Sequence, residues 1–345
     1  MLSLLEKLEK KHTLTEAEYL YLLEHRSDDL MSTLTEKAVR VRKENYGTDV
    51  YVRGLIEFTN YCKNNCYYCG IRAGNKKAER YRLSEEEILS CCALGYAIGY
   101  RTFVLQGGED PYFTRLKIEK LVYKIKEAYP DCALTLSVGE HPKDTYQAWF
   151  DAGADRYLLR HETADCDHYS LLHPKELTLE NRKRCLYELK EIGYQVGCGL
   201  MVGSPGQTNA HLAKDLKFIE EFEPHMVGIG PFIPHADTPF AESPPGDLSL
   251  TLFLLALVRL IHPTVLLPAT TALGSLLKNG RELGILAGAN VCMPNLSPRE
   301  VRQKYMLYNN KLISGAESAE EFSKLSERMK RIGYTIVVAR GDCKR

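Results

Sequence analysis

The chain has 345 residues, 44% of them hydrophobic, and its 45 basic residues balance 45 acidic ones. This length allows one large buried core, such as a barrel with terminal additions, and argues against two equal domains. The neutral balance gives no electrostatic case for nucleic-acid or membrane partners. No N-terminal apolar stretch looks like a secretion signal, and no run approaches the ~18 apolar residues of a membrane span. The cysteine count, 11, is odd. It suits reduced thiols at a cytoplasmic location better than a disulfide framework.

In chain order, residues 1–48 are expected to be a helical extension. Thr15 precedes acids in a first turn, and a longer basic helix over Met31–Tyr46 leads onward. From residue 51, strand-like runs at 51–58, 101–106, 133–138, 155–160, 196–202, 225–229, 264–268 and 290–293 alternate with helical ones. The helical runs fall near 84–98, 114–128, 142–152, 178–192, 207–222, 248–261, 275–287 and 298–308. Repeated β/α pairs predict an α/β fold, a (β/α)8 TIM-type barrel over residues 49–310. A doubly wound open sheet is the alternative. Residues 311–345 are left as a C-terminal extension. In a barrel, the loops after each strand carry the chemistry.

The first such loop holds Cys62, Cys66 and Cys69 at CxxxCxxC spacing. Three thiolates can hold three corners of a cubic 4Fe–4S cluster, where four cysteines are usual. The next cysteines, Cys91 and Cys92, fall on a predicted helix. One iron would then keep open positions for a substrate. A zinc site is the second reading, but structural zinc wants four ligands, and the next histidine along the chain is His141.

Further candidates sit at later strand ends. Gln106-Gly107-Gly108-Glu109 lets a backbone approach a ligand closely. Thr135 and Ser137 alternate onto one face of a strand, as core hydroxyls or ligand contacts. Arg156, Arg160, His161 and Glu162 form a dense polar run. There a guanidinium suits a carboxylate or other anion, and Glu162 suits an amine or a ribose hydroxyl. Arg182 could place another guanidinium above the barrel. Met201 could pack on an adenine or simply be core. His235 and Asp237 read as catalytic or as a loop-stabilising pair. Thr270 and Thr271 could bind a small anionic substrate or cap the next helix. Arg302, Tyr305 and Tyr308 share a helical face that would cover the site or pack inward.

CxxxCxxC with the aromatic Tyr68 before the last cysteine resembles the signature of the radical S-adenosylmethionine (SAM) superfamily. The blocks LIEFTNYCKNNCYYCGIRAGN, VLQGGEDPY, GADRYLLRHETA, MVGIGPFIPHADTP and LPATTALG resemble, within it, the HydE family of FeFe-hydrogenase maturases. The resemblance implies a biotin-synthase-like barrel that reductively cleaves SAM to a 5′-deoxyadenosyl radical. It implies action on a small iron–carbonyl–cyanide–cysteine precursor of the diiron subcluster. Cys62, Cys66 and Cys69 would be the cluster ligands. Tyr68, Gln106, Gly107, Gly108, Glu109, Ser137, Glu162, Arg182, Met201 and Tyr305 would contact SAM. Thr135, Arg156, Arg160, Thr270 and Thr271 would contact substrate. An electron donor such as ferredoxin or flavodoxin, and other hydrogenase maturases, would be partners. Some members carry a second cluster; residues 300–342 here lack cysteine and Cys343 stands alone, so none is expected. A methylornithine-synthase-type mutase and a non-catalytic zinc-stabilised scaffold are the competing readings.

Overall fold

The computed structural model describes residues 1–313 and 318–345; residues 314–317 of the expected C-terminal extension lie outside the described residues. Among those described, no helix is long and apolar enough to cross a membrane. The N-terminal extension is three helices, α1 (Leu2–Lys11), α2 (Glu16–Glu24) and α3 (Asp28–Tyr46). Thr15 and Glu18 close a capping box at the start of α2, and Ser27 caps α3. Leu22 and Leu34 are fully buried, because α2 and α3 lie against two barrel helices, α9 (Asn209–Phe222) and α10 (Leu248–Ile261).

The predicted strand 51–58 is two strands in different sheets, β1 (Asp49–Val52) and β2 (Gly54–Thr59). β2 begins a parallel six-stranded sheet that continues in order through β3 (Thr102–Gly107), β4 (Ala133–Ser137), β5 (Arg156–Leu158), β6 (Gln195–Val202) and β7 (Met226–Pro231). β1 pairs with β8 (Val291–Cys292) and with β9 (Thr335–Val337). The barrel closes through single bridges: Met226 to Leu266, Pro268 to Val291, and Asn295 to Leu55. The Leu266 N–H reaches His225 O at 3.0 Å, and the Leu296 N–H reaches Leu55 O at 2.7 Å. The predicted seventh strand, 264–268, is therefore extended chain without a regular ladder. Pro268 has no N–H to give to one.

The crossover helices α4 (Glu85–Ile98), α5 (Arg115–Ala128), α6 (Lys143–Asp151), α8 (Leu179–Ile192), α9 and α10 fall within a few residues of expectation. α7 (Cys166–Leu172) was not anticipated. The predicted helix 275–287 is split into α11 (Thr271–Leu276) and α12 (Gly280–Leu286). A Cβ at Gly280 would lie 2.0 Å from Leu273 O, so only glycine fits that turn. The predicted helix 298–308 shrinks to α13 (Arg299–Arg302), because Arg302 turns in to bond Ser297 O and Ser318.

After α14 (Phe322–Arg331) and β9, the tail crosses the barrel at the N-terminal ends of its strands. Arg340 pairs with Asp155, and Asp342 with Arg156. Arg156 is fully buried there, its guanidinium also bonded to Thr102 Oγ1 and Arg340 O. This corrects its assignment as a strand-end substrate contact. It faces the end of the barrel away from the cysteine loop.

Candidate active site

β2 delivers the cysteine loop to the C-terminal end of the barrel, and backbone bonds fix the loop's path. Lys63 N–H bonds Glu109 O (2.9 Å), Tyr67 N–H bonds Leu172 O (2.9 Å), and Gly70 N–H bonds Leu307 O (2.9 Å). Arg80 binds four carbonyls along the loop: Asn60, Ile71, Arg72 and Asn75. Cys62, Cys66 and Cys69 are half-buried free thiols. Burial pushes all three up, Cys69 to about 12, and the neighbouring sulfurs push Cys66 and Cys69 in the same direction. Uncoordinated, the thiols stay protonated; a bound metal would supply the charge that releases the protons. Among the described residues, no three His, Cys, Asp or Glu side chains converge on a point suited to a single metal ion.

The Gly107-Gly108-Glu109 turn at the end of β3 packs directly on this loop. A Cβ on Gly108 would sit 2.2 Å from Tyr61 O and 2.7 Å from the Cys62 Cβ. Glu109 is buried, accepts from Glu140 N–H at 2.9 Å, and lies 3.2 Å from Lys63 Nζ. Gly139, with φ of +88°, leaves room for the Glu109 side chain. Gln106 meets the buried Tyr305 hydroxyl at 3.4 Å, and Ser137 is in register beside Gln106. Tyr305 thus reaches the site from an irregular segment.

Tyr68, Met201, Leu172, Phe232 and Phe240 form a small apolar cluster beside the thiols. His173 lies under it, with Tyr68 Oη at 3.2 Å from Nε2 and Tyr169 O at 2.9 Å from Nδ1. Burial lowers His173 to about 3, so it is neutral and stacks on Tyr169 as an uncharged ring. A flat apolar wall of this kind suits an adenine.

Inside the barrel, Arg160 Nη2 and Glu162 Oε2 are 2.9 Å apart but misaligned. Both atoms, with Arg160 Nε, Thr135 Oγ1 and Thr270 Oγ1, are buried and lack a hydrogen-bond partner. The Thr270 side chain does not cap α11. The Thr270 hydroxyl lies beside Gly230, and the Arg160 chain passes Gly228. Glu162 is held at φ of +66°, a strained backbone for a non-glycine residue. Thr271 opens α11, where its carbonyl accepts from Ser275. Arg182 is buried and bonds Glu140 through Nε and Arg160 O through Nη1. Burial opposes its charge, but Tyr169 and Glu140 raise it well above the ordinary value. It orients the Arg160 turn, and its ion pair is with Glu140.

His235 and Asp237 form the loop-stabilising pair: Asp237 N–H donates to His235 Nδ1 at 3.1 Å, and the carboxylate pairs with Lys77. The sequence reading missed Arg80, Glu140, His173 and the buried Glu57–Lys311–Asn295 cluster. It had no motif for any of them.

Against known proteins, residues 56–219 match the Radical SAM superfamily family description. Over 311 residues, 90% of this chain and 88% of the relative, the sequence is 45% identical to the [FeFe] hydrogenase maturase subunit HydE of Thermotoga maritima. The chain belongs to the HydE family. HydE proteins are radical SAM enzymes, and this membership implies a 4Fe–4S cluster and SAM for the chain. The 3-methylornithine synthase of Methanosarcina acetivorans is 28% identical over 83% of this chain and 81% of its own. A solved methylornithine synthase, PylB, superposes with a TM-score of 0.84 at 26% identity, covering 97% of both chains. HydG of Carboxydothermus hydrogenoformans superposes at 0.80 with 21% identity, over 97% of this chain and 79% of that one, and shows the shared fold.

The residues present in this HydE family member fit both groups. The thiols have no disulfide partners. The orphaned polar atoms of Thr135, Arg160, Glu162 and Thr270 are what a polar ligand would satisfy.

Proposed function

We propose that the protein acts in maturation of the FeFe-hydrogenase H-cluster. In this reading it processes a small iron–carbonyl–cyanide–cysteine precursor of the diiron subcluster inside the barrel. The cluster on Cys62, Cys66 and Cys69, when bound, supplies the electron that breaks the SAM sulfonium bond. The chain's own residues do the rest. The Gly107-Gly108-Glu109 turn places backbone and a carboxylate beside the thiols for the SAM amine. Tyr68 and Met201 give the adenine an apolar wall, and Glu162 faces the ribose. Arg160, Thr135 and Thr270 donate to an anionic substrate, and Tyr305 and Gln106 close the site from the side. The cluster is the only one in this reading. A low-potential donor such as ferredoxin or flavodoxin supplies the electron, and other maturases supply and receive the small molecule.

The observation that carries this reading is the set of orphaned buried donors on Thr135, Arg160 and Thr270. It favours an anion over the lysine amine of a mutase. An amine needs an available carboxylate: Glu57 is held by Lys311 and Asn295 and Glu109 accepts from Glu140 N–H, while Glu162, unpartnered at Oε2, lies beside the Arg160 cation, which repels an ammonium group. Oxygen-free reconstitution with dithionite and SAM tests it. 5′-Deoxyadenosine formation should rise with the cysteine-bound iron precursor and not with lysine. Conversion of lysine to methylornithine would overturn the assignment.

A further inference from the structure

The backbone joins the Gly107-Gly108-Glu109 turn to β2 and the cysteine loop through Gly108 N–H to Thr59 O at 3.3 Å and Lys63 N–H to Glu109 O at 2.9 Å. The strand ladder is irregular at this point. Glu57 pairs with Gln106, but the register slips across Phe58 and Thr59 pairs with Gly107. The side chain that bridges the two belongs to the next residue of the turn. The Asp110 side chain is only 1% exposed. Its Oδ2 accepts from Thr59 Oγ1 at 2.7 Å and Arg82 Nε at 2.6 Å, and its Oδ1 from Arg82 Nη2 at 2.9 Å and Tyr112 N–H at 3.0 Å. Burial works against the Asp110 charge, but Arg82, Thr59 and Tyr112 N–H hold the carboxyl below its usual range.

These partners stand at both ends of the cysteine loop. Thr59 ends β2 where the loop leaves, and its hydroxyl also accepts from Tyr61 N–H at 3.2 Å. Arg82 lies where the chain returns, bridged antiparallel to Thr59. Its guanidinium packs on two rings, 3.7 Å from the Tyr61 centroid and 4.8 Å from that of Tyr112. A bidentate guanidinium–carboxylate pair fixes orientation as well as distance. Arg80 shapes the loop from within, whereas Asp110 sets the whole loop against the turn.

We propose that Asp110 and Arg82 are positioning residues for SAM, acting through Thr59 to hold the turn and the cysteine loop at a fixed separation. The proposal rests on the reading that the thiols carry the cluster and the turn receives the SAM amine. SAM must then meet loop and turn together, and a shift of about 1 Å between them can cost a hundredfold.

The test compares the reconstituted parent with three variants. Asp110→Asn replaces one acceptor edge of the clamp by a donor. Thr59→Val removes the hydroxyl and keeps the branched shape, while Thr59→Ser keeps the hydroxyl. Asp110→Asn and Thr59→Val should retain iron and lose at least tenfold in SAM affinity by equilibrium dialysis. Thr59→Ser should bind SAM as the parent does. Parent-like SAM affinity in Asp110→Asn or in Thr59→Val would overturn the positioning role. Equal losses in Thr59→Val and Thr59→Ser would also overturn it, assigning the effect to the methyl group packed against Gly107. Hydrogen exchange of the metal-free proteins reads the clamp without SAM. The Lys63 and Gly108 N–H groups, which cross to Glu109 and Thr59, should exchange faster in Thr59→Val than in Thr59→Ser. Absence of SAM binding in the reconstituted parent would overturn the cluster reading instead, and equal exchange in the two Thr59 variants would still overturn the clamp.

Discussion

His161 Nε2 lies 3.3 Å from Asp215 Oδ1, and both side chains are fully buried. Gly199 N–H donates to His161 Nδ1 at 3.3 Å, so the ring proton faces the carboxylate. Asp215 also accepts from Ala164 N–H at 2.5 Å. The pair therefore ties β6 and α9 to both sides of the strained Glu162. Asp215→Ala should cost about 1–3 kcal/mol, because the Ala164 N–H loses its acceptor. It should also weaken SAM binding, because Glu162 loses its support. Thermal unfolding and equilibrium dialysis with SAM measure the two effects; unchanged SAM affinity would show that the turn stands without the pair.

Cys62→Ala should abolish iron binding and SAM cleavage while leaving the barrel folded. The loop's shape comes from backbone bonds and Arg80, and the thiols contribute nothing to those bonds. Iron analysis and far-UV circular dichroism decide it. Full iron content would refute the ligand assignment.

Gly108→Ala introduces no new chemistry, only a methyl 2.2 Å from a backbone oxygen and 2.7 Å from the Cys62 Cβ. Neither neighbour is the flexible end of a side chain. The turn must move away from the cysteine loop, so SAM affinity should fall at least tenfold with iron content retained.

Arg160→Ala should weaken substrate binding by about 1.5–3 kcal/mol, the worth of a charged hydrogen bond. SAM cleavage without substrate should change less, since Arg160 approaches Glu162 without a well-aligned bond. Equal losses in both assays would move Arg160 into the SAM site.

Burial holds His173 at about 3, against 6.5 for a free histidine. Below pH 6.5 the unfolded chain takes up a proton that the folded chain refuses until about pH 3. Stability therefore falls as the pH drops through that window, by about 2 kcal/mol at pH 5 for this one group. His225, lowered to about 4 by burial, acts in the same sense. Urea unfolding of the parent and His173→Gln at pH 7.5 and pH 5 isolates the His173 share. The variant should lose about 2 kcal/mol less between the two pH values.

What could be read from sequence was local. The cysteine spacing lies within eight residues, and α4 announces itself by the Ser84–Glu87 capping box. What could not be read depends on distant partners. Arg156 looked like a strand-end guanidinium because sequence does not say toward which end of the barrel a side chain turns. Asp342, 186 residues later, decides it. The run 264–268 is apolar enough for a strand, but its pairing is set by Met226 and Val291 and interrupted by Pro268. Sequence leaves Thr270 balanced between cap and ligand; in the fold its hydroxyl makes no cap bond and is buried without a partner, which depends on the distant Gly230 beside it.

Arg80 has no signature either, since its acceptors are carbonyls that any residue could supply. Its consequence reaches beyond shape. A cradle already moulded by one guanidinium needs little rearrangement when iron and sulfide are delivered, so most of the ordering is complete when the chain folds. Exchange of a damaged cube for a fresh one then need not unravel the mouth of the barrel.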